Sequence, residues 1–143
     1  MIRRVVLDTS TLVSAAIRIG STPHRALLHA FATSEVCASV ETLEELGRVL
    51  DRPTWDAYAD AASRREFVAL YRRNVRLFLV QESDRLGIEP RCRDPRDDQF
   101  LALVAVAEAH FLVSSDHDLL VMHPWRGVPI LTPAGFLSSP DQP

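Results

Sequence analysis

The stretch DPRDDQFLALVAVAEAHFLVSSDHDLL, residues 94 to 120, constrains the chain most. Three acids, Asp94, Asp97 and Asp98, stand before nine residues without a charge, which predicts a helix buried on most sides. The apolar run Phe111-Leu112-Val113 then predicts a strand, after which the chain turns at Ser114-Ser115 and places Asp116 and Asp118 just past the strand end. In a parallel α/β sheet, a helix start and the end of the next strand lie on the same rim, where ligands bind. One short segment therefore delivers two sets of carboxylates to one edge.

The remaining sequence repeats the alternation. Val5-Val6-Leu7 is a short apolar run ending at Asp8, as a central parallel strand would, with a helix predicted over 11–17. Gly20-Ser21-Thr22-Pro23 breaks that helix, and a second is predicted over 24–32. Strand 36–38 follows, then Ser39 as cap of a helix over 40–50 that carries Glu41, Glu44 and Glu45. Pro53 is expected to start another helix at its first position, residues 56–76 form an arginine-rich helix, 77–80 a third strand and 81–93 a loop. Residues 128–131 are an edge strand because Pro129 removes a ladder donor, and 133–137 a closing helix. Alternating strands and helices predict an α/β fold, three layers α/β/α around a mostly parallel five-stranded sheet. The expected layout is one domain over 1–137 with a frayed tail over 138–143.

Net charge is −3, so no global basic field marks a nucleic-acid binder, and a polyanion would need a local basic patch or metal ions. Cys37 and Cys92 are too few for a disulfide framework and lack zinc-ligand spacing. No apolar run approaches a membrane span, so the expected location is the cytoplasm, away from the membrane. The arginines Arg64, Arg65, Arg72, Arg73 and Arg76 are expected on a solvated helix face, with Arg65, Arg72 and Arg76 on one side where they would reach phosphates.

Each acid has a plain explanation: Asp8, Asp94 and Asp116 as helix caps, Asp97, Asp98 and Asp118 as first-turn acids. The joint pattern asks for more. Asp8 and Asp116 each follow an apolar strand, Asp98 opens the helix feeding the second strand, and Glu45 lies in a helix after another strand. Four carboxylates about 6 Å apart, in an effective dielectric near 20, repel by roughly 3 kcal/mol per pair, an upper-bound total above ten. That rivals a domain's whole stability of about 5–15 kcal/mol. A divalent cation relieves it. All-oxygen ligands without His or Cys favour Mg²⁺ or Mn²⁺ over zinc, and such a site suits phosphodiester hydrolysis.

The segments LDTSTLVSA at 7–15, ETLEELGRVLDRP at 41–53 and 94–120 together resemble the PIN-domain family, and more narrowly the VapC-type toxins of bacterial toxin–antitoxin systems. The resemblance implies a metal-dependent endoribonuclease on a parallel sheet, a single-stranded or structured RNA substrate, a protein antitoxin and a homodimer. It assigns catalytic and metal-binding roles to Asp8, Glu45, Asp98 and Asp116, with Asp118 as a further metal-site acid. Ser10 falls on the nearby hydroxyl, and Glu44 is the register alternative to Glu45. Ser114-Ser115 stands where relatives often show Thr-Gly, so that Ser114 keeps the hydroxyl. The resemblance leaves open a PIN-type nuclease of RNA processing or one acting on DNA. Two other classes compete. A haloacid-dehalogenase-type phosphatase would want an acid where Ser10 stands, and a non-catalytic α/β binding module would need no cleavage activity.

Overall fold

The computed structural model describes residues 2–139. Strand β1 (Arg3–Leu7) leads into helix α1 (Thr9–Ile17), and α2 (Thr22–Thr33) returns the chain to β2 (Ser34–Ala38). Between α1 and α2 the backbone turns at Gly20, whose φ of 85° is open to glycine and costly for most side chains. Helix α3 (Val40–Leu50) follows β2, then a 3-10 turn over Pro53–Ala57, α4 (Ala61–Asn74) and β3 (Arg76–Leu77). Helix α5 (Glu82–Leu86) precedes a second 3-10 turn, Pro95–Asp97, which runs directly into α6 (Asp98–Ala107). The chain ends with β4 (Phe111–Val113), α7 (His117–Leu120), β5 (Ile130–Leu131) and α8 (Pro133–Ser138).

The five strands form one sheet in the order β3-β2-β1-β4-β5, every pair parallel. Side chains alternate across it. Val5 and Leu7 face a core filled from α1, α2, α3, α4 and α8, while Val6 and Leu112 face a second core of α6 residues, Ile88 and Trp125. This is the expected α/β/α sandwich. The strand order reverses between β1 and β4, and such a switch point opens a crevice beyond the carboxyl ends of the strands. Asp8 and Ser114 stand at those two ends, where the Asp8 N–H donates to the Val113 carbonyl at 3.0 Å.

Several local expectations change. The 81–93 loop contains α5, stabilised by a Gln81 N–H donating to Asp84 at 2.8 Å and by Arg85 on Glu41 at 2.9 Å. The third strand pairs only at Arg76 and Leu77, and Leu79 is 74% exposed. The helix expected over 56–76 spans only Ala61–Asn74, so Arg76 lies beyond it in β3, where its guanidinium binds Glu35 at 3.1 Å, a carboxylate it shares with Arg4. Arg64 is buried, donating to the carbonyls of Leu50 at 3.0 Å and Arg52 at 2.9 Å and to Asp56. Arg65 pairs with Asp51 at 3.4 Å, so Arg65, Arg72 and Arg76 do not form one helical row of free cations. The closing helix reaches Ser138, and of the tail expected from 138 onward, residues 140–143 lie outside the described residues. Among the described residues no helix is long and apolar enough to cross a membrane.

Candidate active site

Asp8 is the fixed point of the rim. It ends β1, caps α1 and is 2% exposed. Its carboxylate accepts from the Thr11 N–H at 3.0 Å, from Ser10 Oγ at 3.1 Å to both oxygens, and from Ser114 Oγ at 2.5 Å. Burial raises its pKa above the ordinary value, and the donors Ser114, Thr11 and Ser10 pull the other way. The Ser114 hydroxyl also accepts from the Asp116 N–H at 2.9 Å, so one buried serine ties the end of β1 to the start of α7.

Asp116 caps α7 through its side chain, which accepts from the Asp118 N–H at 3.0 Å. Facing it is Asp97, the last residue of the 3-10 turn before α6. The Asp97 carboxyl is pushed up to about 8, first by burial, then by its contact with the Asp116 carboxyl and by the charges of Asp116, Asp94 and Asp8. Its Oδ2 is enclosed and takes no hydrogen bond from the described residues. Once ionised, a carboxylate oxygen so placed would have neither solvent nor donor to offset its charge, and a bound cation would offset it.

Glu45 lies across the rim. The capping box at the start of α3, in which Thr42 N–H donates to Ser39 Oγ at 3.2 Å and Ser39 N–H to Thr42 Oγ1 at 2.9 Å, sets the helix that carries it. One Glu45 oxygen accepts from the Thr9 hydroxyl and the other from Gln99 Nε2 at 2.9 Å, so α1, α3 and α6 meet at this carboxylate. Glu44 faces solvent. Arg96 binds Asp94 at 3.0 Å and feels Asp97 and Glu45 as well, and this surrounding negative charge, Asp94's hydrogen bond first, raises its pKa.

Asp98 is placed differently. Its Oδ1 accepts from the Cys92 N–H at 2.8 Å and its Oδ2 from Arg91 at 3.3 Å. Asp118 is a first-turn acid of α7 whose carbonyl accepts from Cys92 Sγ at 3.4 Å. Burial, with the charges of Asp97, Asp98 and Asp118, raises the Cys92 thiol above its ordinary pKa, so it stays a donor. The structure thus sets Asp97 against Asp116 and within the field of Asp8, holds Glu45 between Thr9 and Gln99, and turns Asp98 towards the preceding segment. Among the described residues no three acid, His or Cys side chains are already drawn into a coordination shell. The residues present still fit a hard divalent cation of the kind that uses few protein carboxylates and keeps several waters. Sequence reasoning passed over Thr9 and Gln99, whose roles depend on contacts from distant elements, and treated Asp97 as a first-turn acid only.

The sequence matches the model of the PIN domain over residues 4–118. Comparison with curated protein sequences finds no match. Among solved structures, VapC20 of Mycobacterium tuberculosis, a toxin that cleaves the sarcin–ricin loop, superposes with a TM-score of 0.59 at 16% identity, covering 83% of this chain and 95% of that one. VapBC2 of Rickettsia felis, solved bound to a DNA fragment from its promoter, gives a TM-score of 0.62 at 11% identity, covering 90% and 98%. PAE2754 of Pyrobaculum aerophilum gives a TM-score of 0.60 at 13% identity, covering 94% and 88%. At these identities the likeness is one of fold.

Proposed function

The chain belongs to the PIN domain family, and on that premise we propose that it is a metal-dependent endoribonuclease, the toxin of a toxin–antitoxin pair. The observation that carries the reading is the enclosed, unpartnered Asp97 oxygen set against Asp116 and Asp8 at the switch point of the sheet. Asp8, Asp97 and Asp116 would hold Mg²⁺ or Mn²⁺, with Glu45 facing them across the crevice. A metal bound there lowers the pKa of an attacking water and steadies the leaving oxygen of a phosphodiester. Ser114 and Ser10 hold the Asp8 carboxylate in one orientation, so its charge points at the crevice without rearrangement. Glu45, anchored by Thr9 and Gln99, is placed to orient a water or accept its proton. Arg96, exposed beside Asp97 and Glu45, is the cation best placed to meet a substrate phosphate.

Cleavage of the sarcin–ricin loop by VapC20 supports RNA as the substrate class, and the toxin–antitoxin assembly of R. felis supports a protein antitoxin as partner. Assembly as a homodimer and action in the cytoplasm complete the reading. The test is incubation of the purified chain with single-stranded RNA, with and without Mn²⁺, beside Asp8→Asn. The expected result is cleavage by the parent only when metal is present and none by the variant, which folds at least as stably without metal. Equal cutting by both proteins would refute the assignment.

A further inference from the structure

We infer that Asp98 is a positioning residue: by clasping the segment that precedes α6, it sets the rotation at which Asp97 faces Asp116 and Asp8. The inference rests on the metal site proposed above.

Asp97 ends a 3-10 turn and Asp98 begins α6, so their side chains leave the backbone roughly 100–120° apart and take different partners. Asp98 is 6% exposed, and both its oxygens are already engaged, Oδ1 by the Cys92 N–H and Oδ2 by Arg91. Asp97 Oδ2 is enclosed and without a donor. The pair therefore divides the work: Asp98 is held by the segment that precedes α6, and Asp97, facing Asp116, keeps an oxygen free for a cation.

The clasped segment is fixed from several sides. Arg91 donates its second nitrogen to the Leu86 carbonyl at 3.0 Å, and Cys92 Sγ reaches the Asp118 carbonyl at 3.4 Å. Trp125 Nε1 donates to the Pro90 carbonyl at 2.8 Å, and Arg126 donates to the carbonyls of Glu89 at 2.9 Å and Gly87 at 3.2 Å. Asp98 is where this pinned segment grips the opening of α6. Without that grip, no other side-chain contact of residue 98 ties the opening of α6 to this segment, and the 3-10 turn that carries Asp97 keeps only its local bonds to Asp94 and Pro95.

A metal ligand and a positioning residue answer differently to an isosteric loss of charge. Asp98→Asn keeps an oxygen that accepts the Cys92 N–H and gives up the ion pair with Arg91, whose half-exposed guanidinium can turn to solvent. Asp98→Ala removes the clasp. The measurement is Mn²⁺ affinity of the full chain by titration calorimetry, with metal-free thermal stability recorded alongside, for Asp8→Asn, Asp97→Asn, Asp98→Asn and Asp98→Ala. Asp98→Asn should stay within about threefold of the parent, and Asp98→Ala should weaken binding by roughly ten- to a hundredfold, as loss of a supporting partner does. Asp8→Asn and Asp97→Asn should abolish the site. The inference is overturned if a folded Asp98→Ala binds as the parent does, if Asp98→Asn loses as much affinity as Asp97→Asn, or if Asp97→Asn binds as the parent does. Where Asp98→Ala does not fold, the comparison of Asp98→Asn with Asp97→Asn decides by itself. A parent that takes up no Mn²⁺ at all overturns the metal site together with this inference.

Discussion

Burial and the facing Asp116 carboxyl push Asp97 from 3.8 up to about 8, so the folded chain holds a proton there that the unfolded chain releases. The sign follows from linkage. Stability from this group is complete below its unfolded pKa and is lost as the pH rises through its folded one. Metal-free protein should therefore lose stability between about pH 5 and pH 8.5, and Asp97→Asn should lose less over the same range. The difference should be about 1 kcal/mol, allowing for solvent screening at a half-buried site. Urea unfolding of both proteins at the two pH values measures it, and parallel pH dependence would show that Asp97 is not the strained group. That an acid would follow β1 and β4 and open α6 was legible in the sequence, because strand, acid and helix follow one another in a repeated pattern. Which of Asp97 and Asp98 faces the crevice was not. The choice is made by the 3-10 turn and by the Cys92 N–H, neither of which leaves a periodic signal.

Elements were legible in proportion to how locally they are determined. Helix α3 runs over the expected 40–50 because Ser39 and Thr42 cap each other's backbone, a device contained in four consecutive residues. Strand β4 likewise spans the expected 111–113, a short apolar run between a helix and a turn. Helix α5 was hidden by Gly87 and Pro90, which mark a loop, while its support comes from Glu41 on a distant helix. The third strand is shorter than its apolar run, since pairing along an edge is decided by the neighbour and not by hydropathy. The same logic gives a prediction at α3. Ser39→Ala leaves the buried Thr42 N–H without its acceptor and should cost about 1 kcal/mol, a fall in Tm of roughly 3 °C by calorimetry. An unchanged Tm would mean that tertiary contacts alone hold the helix that carries Glu45.

At the scale of the molecule, the acids sit where the strand order of the parallel sheet reverses, so their mutual repulsion works against the packing of β1, α6 and α7 together. Anything that binds this arrangement and not the unfolded chain must stabilise the whole fold by RT ln(1 + [L]/Kd). At a thousandfold excess of Mn²⁺ over its Kd that amounts to about 4 kcal/mol, or a rise in Tm of roughly 10 °C for a chain of this size. The rise should be reversed by a chelator, absent with an equal ionic strength of K⁺, and larger at pH 8 than at pH 6, since the metal needs Asp97 ionised and a proton leaves as it binds. Screening by salt would act alike on every charge of a chain whose net charge is only −3, and would not distinguish a divalent ion from potassium at matched ionic strength. A thermal melt in Mn²⁺, in K⁺ and after chelation therefore separates a specific site from a diffuse effect. A Tm that moves equally in both salts would mean that the crevice tolerates its acids by protonation alone, and the chain would then be a PIN fold without the metal chemistry proposed for it.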